Sequence, residues 1–295
     1  MPNLKEIRIR IASVNSTRQI TSAMKMVSAA KLRRAQDAVV QLRPYASKLD
    51  GILQSISDNV GSSNDNVFGK ERPVNKVLLV VITSNKGLCG AFNSNVIKKT
   101  VQLINGEFAG MNEKGRLELL TIGKKGYDYF RLRNYKIVKN YSSVYDKLSF
   151  DKVIPVVEEV MSSFETRTYD KVVLIYNQFK NAAVQILTEE QFLPLKKQKK
   201  GEKNSFAHHF DFIYEPSQEY MLKELIPKSL KIQFYKALLD SFAAEHGARM
   251  TAMHKATDNA AELLKELNLT FNKARQGAIT KEILEIVGGA NALKK

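Results

Sequence analysis

The sequence predicts an α/β fold with long α-helices: an antiparallel coiled coil of the N- and C-terminal helices, plus an inserted small Rossmann-like α/β domain. Three observations carry this. From Pro227 to Leu293 there is no further proline, and Tyr235, Leu239, Phe242, His246, Arg249, Met253, Ala256, Ala260, Leu263 and Leu267 recur in alternating steps of four and three. That is a heptad seam broken only by His246 and Arg249. Near the start, Leu4, Ile7, Ile11 and Val14, then Leu32, Ala35, Val39, Leu42, Ala46, Leu49, Leu53, Ile56 and Val60, step in the same way. Between the two, short apolar runs alternate with helical patterns, as in a mostly parallel sheet. At 1.5 Å per residue the C-terminal helix is on the order of 100 Å long, against roughly 30 Å for a small domain, so it needs a helical partner along one side.

Taken in order, residues 1–66 are the N-terminal coiled-coil helix, with a kink expected at Pro44. Residues 61–75 form a polar linker rich in Gly, Ser, Asn and Asp. The α/β domain spans 67–215. It opens on a buried strand, Lys76 to Thr83, then the glycine-bearing turn SNKGLCGAFN and a helix from Asn93 to Ile104. A second strand, Leu117 to Ile122, leads into a helix at Gly123-Lys-Lys-Gly126. A short strand at Tyr135 to Lys139, a helix from Asp151 to Arg167, a strand at Lys171 to Asn177 and an edge strand at Ala182 to Leu187 complete it. The lysine-rich 196–203 reads as a solvated loop, and His208 to Ile213 as extended chain. Residues 216–295 are the C-terminal helical region: Pro216-Ser217 starts a short helix that Pro227 ends, and the long helix follows.

An antiparallel pair keeps the sum of facing residue numbers constant. A sum of 274 lays one seam on the other, with Leu32 facing Phe242, Ala35 facing Leu239 and Val39 facing Tyr235. Sums of 267 and 281 also align the seams. The value 274 is favoured because it sets Pro44 opposite Leu230, next to Pro227.

The net charge is +16, and residues 1–48 hold ten Lys or Arg against Glu6 and Asp37. A cationic helix implies an anionic partner, whether nucleic acid, an acidic protein surface or anionic lipid. The single cysteine, Cys89, excludes an internal disulfide, and no apolar run approaches the ~20 residues of a membrane span. The N-terminus enters the heptad almost at once, so no leader is expected.

No catalytic constellation is legible. The 84–90 turn joins a strand to a helix but matches neither phosphate-loop pattern, and close backbone packing is the stronger reading for it and for 123–126. His246 and His254 share a helix face without a ligand set, so no metal and no cofactor are expected. Cys89 reads as a buried small hydrophobe.

The terminal blocks Ile7–Gln36 (IRIRIASVNSTRQITSAMKMVSAAKLRRAQ) and Ala248–Leu293 (ARMTAMHKATDNAAELLKELNLTFNKARQGAITKEILEIVGGANAL), with SNKGLCGAFN, resemble the gamma subunit of F-type ATP synthases end to end. Asn85 stands where that family commonly has Asp, and Gly277 where it commonly has Ala. The chloroplast form's redox insertion and cysteine pair are absent. The resemblance implies a central rotor stalk that couples c-ring rotation to conformational cycling of an alpha3-beta3 hexamer, with epsilon and the c-ring as further partners. It also implies no catalytic residue and no direct nucleotide of its own, and a peripheral position on the cytoplasmic face of the bacterial inner membrane. By motif it assigns partner contact and coupling to Met24, Lys25, Arg249, Gln276, Thr280 and Glu282. The cationic face adds Lys31, Arg33 and Arg34, and the apolar tip adds Ile283 and Val287. Arg249, interrupting an apolar seam, is expected to point outward to a ring subunit. The alternative from a different class is a basic coiled-coil scaffold that binds nucleic acid. It explains the charge but neither the α/β insertion nor the apolar C-terminal tip.

Overall fold

The computed structural model describes residues 4–59, 67–69, 72–146, 148–195 and 217–292. The order is α1 (Leu4–Asn59), β1 (Val77–Ile82), α2 (Phe92–Asn105), α3 (Ala109–Glu113), β2 (Leu117–Ile122), α4 (Lys124–Leu132), β3 (Ile137–Asn140), α5 (Phe150–Glu165), β4 (Lys171–Phe179), β5 (Gln185–Leu193) and α6 (Gln218–Ala292). The expected lysine-rich loop at 196–203, the extended stretch at His208–Ile213, and Val60 and Leu293 lie outside the described residues. Two compact units result, one of residues Ala29–Arg249 and one of Met1–Ser28 with Met250–Lys295. The helices α1 and α6 contribute a segment to each.

In the larger unit the sheet order is β3-β2-β1-β4-β5. The four strands β1 to β4 run parallel, and β5 closes the edge antiparallel to β4. The central strands are buried along their whole length, so their side chains divide by parity between two faces. Leu78, Val80, Ile82, Leu120 and Ile122 pack with α5 (Val153, Val157, Val160, Phe164) and with Leu230, Phe234 and Leu238 of α6. Val77, Leu79, Val81, Leu117 and Leu119 pack with α2 (Val96, Ile104) and with Phe130 of α4. The helix α6 is thus one layer of the α/β sandwich as well as half of a coiled coil.

This double duty explains two departures from expectation. The helix does not end at Pro227: α6 starts at Gln218, where the Tyr220 N–H donates to Ser217 Oγ at 3.2 Å, and runs through the proline. An interior proline costs about 3 kcal/mol, and burial of Ile226 and Leu230 in the sheet core on either side of it offsets that. Pro44 likewise lies inside a continuous α1.

The register also differs. In the larger unit Val39, Leu42 and Ala46 line a small gap with Lys236 and Leu239, and Ala46 and Leu49 cluster with Ile232. Facing numbers therefore sum to 278, four more than the favoured 274. In the smaller unit Thr21 Oγ1 lies 2.8 Å from Thr257 Oγ1, the same sum, and the Arg8 guanidinium lies 5.8 Å from the Phe271 ring centre. The α1 side was read correctly, since Leu32, Ala35, Val39, Ala46 and Leu49 are all buried. On α6, however, Tyr235 and Phe242 pack against the sheet core, with ring centres 5.4 Å from Phe150 and 5.9 Å from Tyr145 respectively. They are apolar positions of a second face. Residues three and four apart both share a face, so period alone merged the two. A cysteine pair at Ala35 and Ala243, in a Cys89→Ala background, should cross-link on oxidation, while a pair at Ala35 and Leu239 should not. The opposite result would restore the 274 register.

One buried carboxylate organises the end of the sheet where its parallel strands begin. Glu118 takes Lys76 Nζ at 3.0 Å and Lys136 Nζ at 2.7 Å, and accepts a short hydrogen bond from Tyr169 Oη. Burial alone would raise this carboxyl, but the bonds from Lys136, Tyr169 and Lys76 outweigh it and hold it at about 2, below its ordinary 4.5. The unfolded chain then binds more protons between those values. The stabilisation, on the order of 3 kcal/mol, is complete above pH 4.5 and is lost as the pH falls toward 2. Glu118→Gln should flatten that acid limb in urea titrations at stepped pH; an unchanged limb would place its origin elsewhere.

Candidate functional site

The structure places the residues assigned to partner contact at three separate stations. In the smaller unit Met24 and Lys25 are half-buried on α1. Lys25 Nζ lies 3.5 Å from His254 Nδ1, which lies 3.3 Å from Asp258. A carboxylate does stand one turn from His254, contrary to the sequence reading, but among the described residues no group of three or more His, Cys, Asp or Glu could hold a metal.

The second station is the end of α6. Gln276, Thr280 and Glu282 are exposed, and Thr280 Oγ1 donates to Gln276 O at 2.9 Å. Ile279, Ile283, Leu284, Ile286 and Val287 are between 49% and 71% exposed. In the observed register Leu4, where α1 starts, faces position 274, so this segment lies past the start of the partner helix. It lies roughly 35–50 Å along the axis from His254. Met24 and Lys25 are therefore not brought together with 276–287.

In the larger unit Lys31, Arg33 and Arg34 are exposed on α1, on the same turn as the buried Leu32 and Ala35. They form the third station, a cationic face open to solvent.

Arg249 does not point outward. Its residue is 6% exposed, and its guanidinium closes an internal network. Nη1 donates to Glu245 Oε1 at 2.7 Å and lies 3.3 Å from His246 Nδ1. Nη2 donates to Lys86 O at 2.9 Å and to Gly87 O at 3.3 Å, and Nε donates to Gly87 O at 3.3 Å. The outward expectation fails because a buried cation must be paired, and these partners are the carbonyls of the 84–90 turn and a carboxylate one helical turn back. Burial, with the charges of Arg249 and Lys31, pushes His246 down to about 3. The imidazole is therefore neutral, and with Nδ1 accepting from Arg249 its proton sits on Nε2. Burial raises Glu245 while Arg249 and Lys31 pull it down. Lys31 therefore belongs to the electrostatics of this cluster as well as to the open cationic face.

The close approach expected of the glycines is found at Gly123 and Gly126, where a Cβ would lie 2.0 Å from Thr83 O and 2.8 Å from Thr83 Oγ1 respectively. It is not found in the 84–90 turn, where a Cβ at Gly87 would meet only the Lys125 side chain at 3.6 Å and one at Gly90 nothing within 4 Å. Ser84 Oγ donates to Lys86 O at 2.6 Å, the Ser84 N–H donates to Asn93 Oδ1 at 2.9 Å, and Cys89 is buried against Phe92 and Ala244. Burial pushes the Cys89 thiol up, as fits a packing residue. At the start of α4 the N–H groups of Lys124, Lys125 and Gly126 donate to Asn85 Oδ1, Ser84 O and Thr83 Oγ1. The Glu245–Arg249 pair was visible in the sequence as an i,i+4 spacing beside two breaks in the seam, but its inward direction was not.

Across its full length the chain matches known proteins. The ATP synthase family profile covers residues 3–293. The ATP synthase gamma chain of Cytophaga hutchinsonii is 54% identical over 293 residues, covering 99% of each chain. That of Flavobacterium psychrophilum is 55% identical over 294 residues, covering 100% of each. Among solved structures the fold is similar to the rotor of Euglena gracilis mitochondrial ATP synthase in rotational state 1, with a TM-score of 0.66 at 20% identity, covering 94% of this chain and 98% of that one. On end-to-end identity of this order, the chain belongs to the ATP synthase gamma chain family.

Proposed function

We propose that this chain is the central rotor stalk of its ATP synthase, carrying c-ring rotation to the catalytic sites of an alpha3-beta3 hexamer. The observation that carries the reading is the end of α6. Five large apolar side chains stand at least 49% exposed on a helix that extends past the start of α1. Such a surface favours association at roughly 25 cal/mol per Å² of apolar area covered. A sleeve formed by a ring of subunits covers it while leaving it free to turn. The cationic face at Lys31, Arg33 and Arg34 supplies asymmetry, so that each catalytic subunit meets a different side of the stalk.

The stalk acts by differential contact. A subunit whose tight, loose and open states touch it differently is shifted among them as it turns, by no more than the difference in those contact energies. In this reading Met24, Lys25, Gln276, Thr280, Glu282, Ile283 and Val287 make ring contacts, and nucleotide chemistry stays in the partner subunits. Epsilon and the c-ring hold the foot, and the chain is peripheral on the cytoplasmic face of the bacterial membrane. Among the described residues no helix is long and apolar enough to cross a membrane.

The comparisons support the rotor and not the nucleic-acid-binding alternative, although the +16 charge suits both. Purification through a tag on this chain after nuclease treatment tests the choice. The rotor reading expects ATPase subunits in a complex that nuclease leaves intact. Recovery of the chain alone, released by nuclease, would overturn it.

A further inference from the structure

In the smaller unit one atom faces two partners that it cannot serve at once. His254 Nδ1 lies 3.5 Å from Lys25 Nζ on α1 and 3.3 Å from Asp258 Oδ2 one turn along α6. A lysine ammonium only donates, so the Lys25 contact needs a lone pair on Nδ1. A carboxylate only accepts, so the Asp258 contact needs a proton there. Both distances are long for a hydrogen bond, as fits a nitrogen held between rival partners. The helix packing beside them does not depend on which partner is served. Thr21 Oγ1 lies 2.8 Å from Thr257 Oγ1, and Thr21, Ser28 and Met253 are buried. The imidazole and the Asp258 carboxylate are 57% and 61% exposed, so protons from solvent reach them.

We propose that His254 Nδ1 is a proton-binding site that latches Lys25: with the ring neutral Lys25 is held against α6, and with the ring protonated it is released to meet a carboxylate on a surrounding subunit. That last step rests on the rotor reading, whereas the latch is a property of the chain.

The charge balance gives the direction. With Lys25 seated, Nδ1 keeps its lone pair and the neutral ring carries its proton on Nε2. Lys25, His254 and Asp258 then hold one cation and one anion. A proton taken up at Nδ1 turns that atom to Asp258, removes the acceptor from Lys25 and places a second cation 3.5 Å from its ammonium. Like charges at this spacing repel, and the flexible lysine stem lets the ammonium swing away without moving α1. Histidine is the side chain that changes charge between pH 5 and 8, so the release belongs to mild acid. The other charged groups nearest in the chain are Arg18 of α1, which donates to Asn15 Oδ1 at 3.1 Å, and Lys255 and Glu262 of α6, which are exposed. A released Lys25 adds a contact to an anionic ring surface, and each step of rotation must break it. Acid therefore slows rotation through this group.

The test uses the intact ATP synthase with wild-type, His254→Gln, Lys25→Met or Asp258→Asn chains. Two readouts are taken from pH 8 to pH 6. One is proton occupancy of His254, from deuterium exchange at its ring C2–H followed by mass spectrometry. The other is ATP hydrolysis, normalised for each chain to its own rate at pH 8. Lys25→Met removes the cation that opposes the proton, and Asp258→Asn the carboxylate that favours it. His254 should therefore take its proton at a higher pH in Lys25→Met than in Asp258→Asn, by about 0.3–1.5 pH units for two exposed pairs. On acidification the wild type should lose about 1.5–5-fold more of its hydrolysis than His254→Gln, whose amide accepts from Lys25 and binds no proton. Lys25→Met should lose no more than His254→Gln. Coincident titration of His254 in Lys25→Met and Asp258→Asn would overturn the latch, whatever the enzyme does. Separated titration, with one pH profile of hydrolysis shared by the wild type and His254→Gln, would overturn the release to a ring carboxylate. The exchange readout needs only the folded chain in the assembly it purifies with. Failure of that assembly to hydrolyse ATP would count against the rotor reading and leave the latch to stand or fall on exchange.

Discussion

Alanine in place of Phe234 is expected to cost the chain about 3–5 kcal/mol, the range for truncating a fully buried aromatic. The ring is 0% exposed, and its centre lies 5.5 Å from that of Phe192 in an edge-on contact. It belongs to the cluster that joins α6 to α5 and to β1, β2 and β4, so its loss opens a cavity between the long helix and the sheet. The helix α6 has lost no backbone hydrogen bond in this variant, and far-ultraviolet dichroism of the folded protein should be unchanged. The effect appears as a lowered midpoint in denaturant with an unaltered slope. A change below 1 kcal/mol would show that α6 is not anchored to the sheet through this ring.

Gly123→Ala is expected to be as damaging by a different route. Gly123 has φ +109°, and a Cβ there would lie 2.0 Å from Thr83 O. Neither the dihedral nor the contact can relax without moving the start of α4 away from β1. That movement would break the bonds that Thr83 Oγ1 makes with Gly126 N at 2.9 Å and Gly123 O at 3.3 Å. A loss of about 3 kcal/mol or more follows. Gly277→Ala is the control: a Cβ there meets nothing within 4 Å, and the position is helical. This substitution should be neutral or stabilising by up to about 1 kcal/mol. If both substitutions behave alike, steric closeness at Gly123 is not what selects glycine.

What was legible in the sequence divides along physical lines. The strands of the sheet core were readable because β1 and β2 are buried on both faces and show as unbroken apolar runs. The α1 seam was readable because a helix with one apolar face has one period. The α6 face was not, because that helix buries one side on α1 and another on the sheet. Tyr235 and Phe242 carry the same period as Leu239 but serve a different partner. The same merger hid the direction of Arg249, which belongs to the sheet-facing side. Pro227 misled because a local helix-breaking cost was weighed without the tertiary packing of Ile226 and Leu230 that overrides it. The buried charge of Glu118 was invisible because its partners Lys76, Lys136 and Tyr169 are distant in sequence, and the inward turn of Arg249 because its other acceptors are the backbone carbonyls of Lys86 and Gly87.

The central claim is that this chain turns inside a ring that does not. The most direct measurement fixes the ATP synthase to a surface through its catalytic subunits and attaches an optical probe to the exposed Lys114 position as Lys114→Cys, with Cys89→Ala to leave one thiol. On addition of ATP the probe should rotate in one direction in three equal steps per turn, and a covalent link between α6 and a ring subunit should stop rotation and hydrolysis together. Steady ATP hydrolysis with the probe motionless, or hydrolysis undiminished by that link, would contradict it.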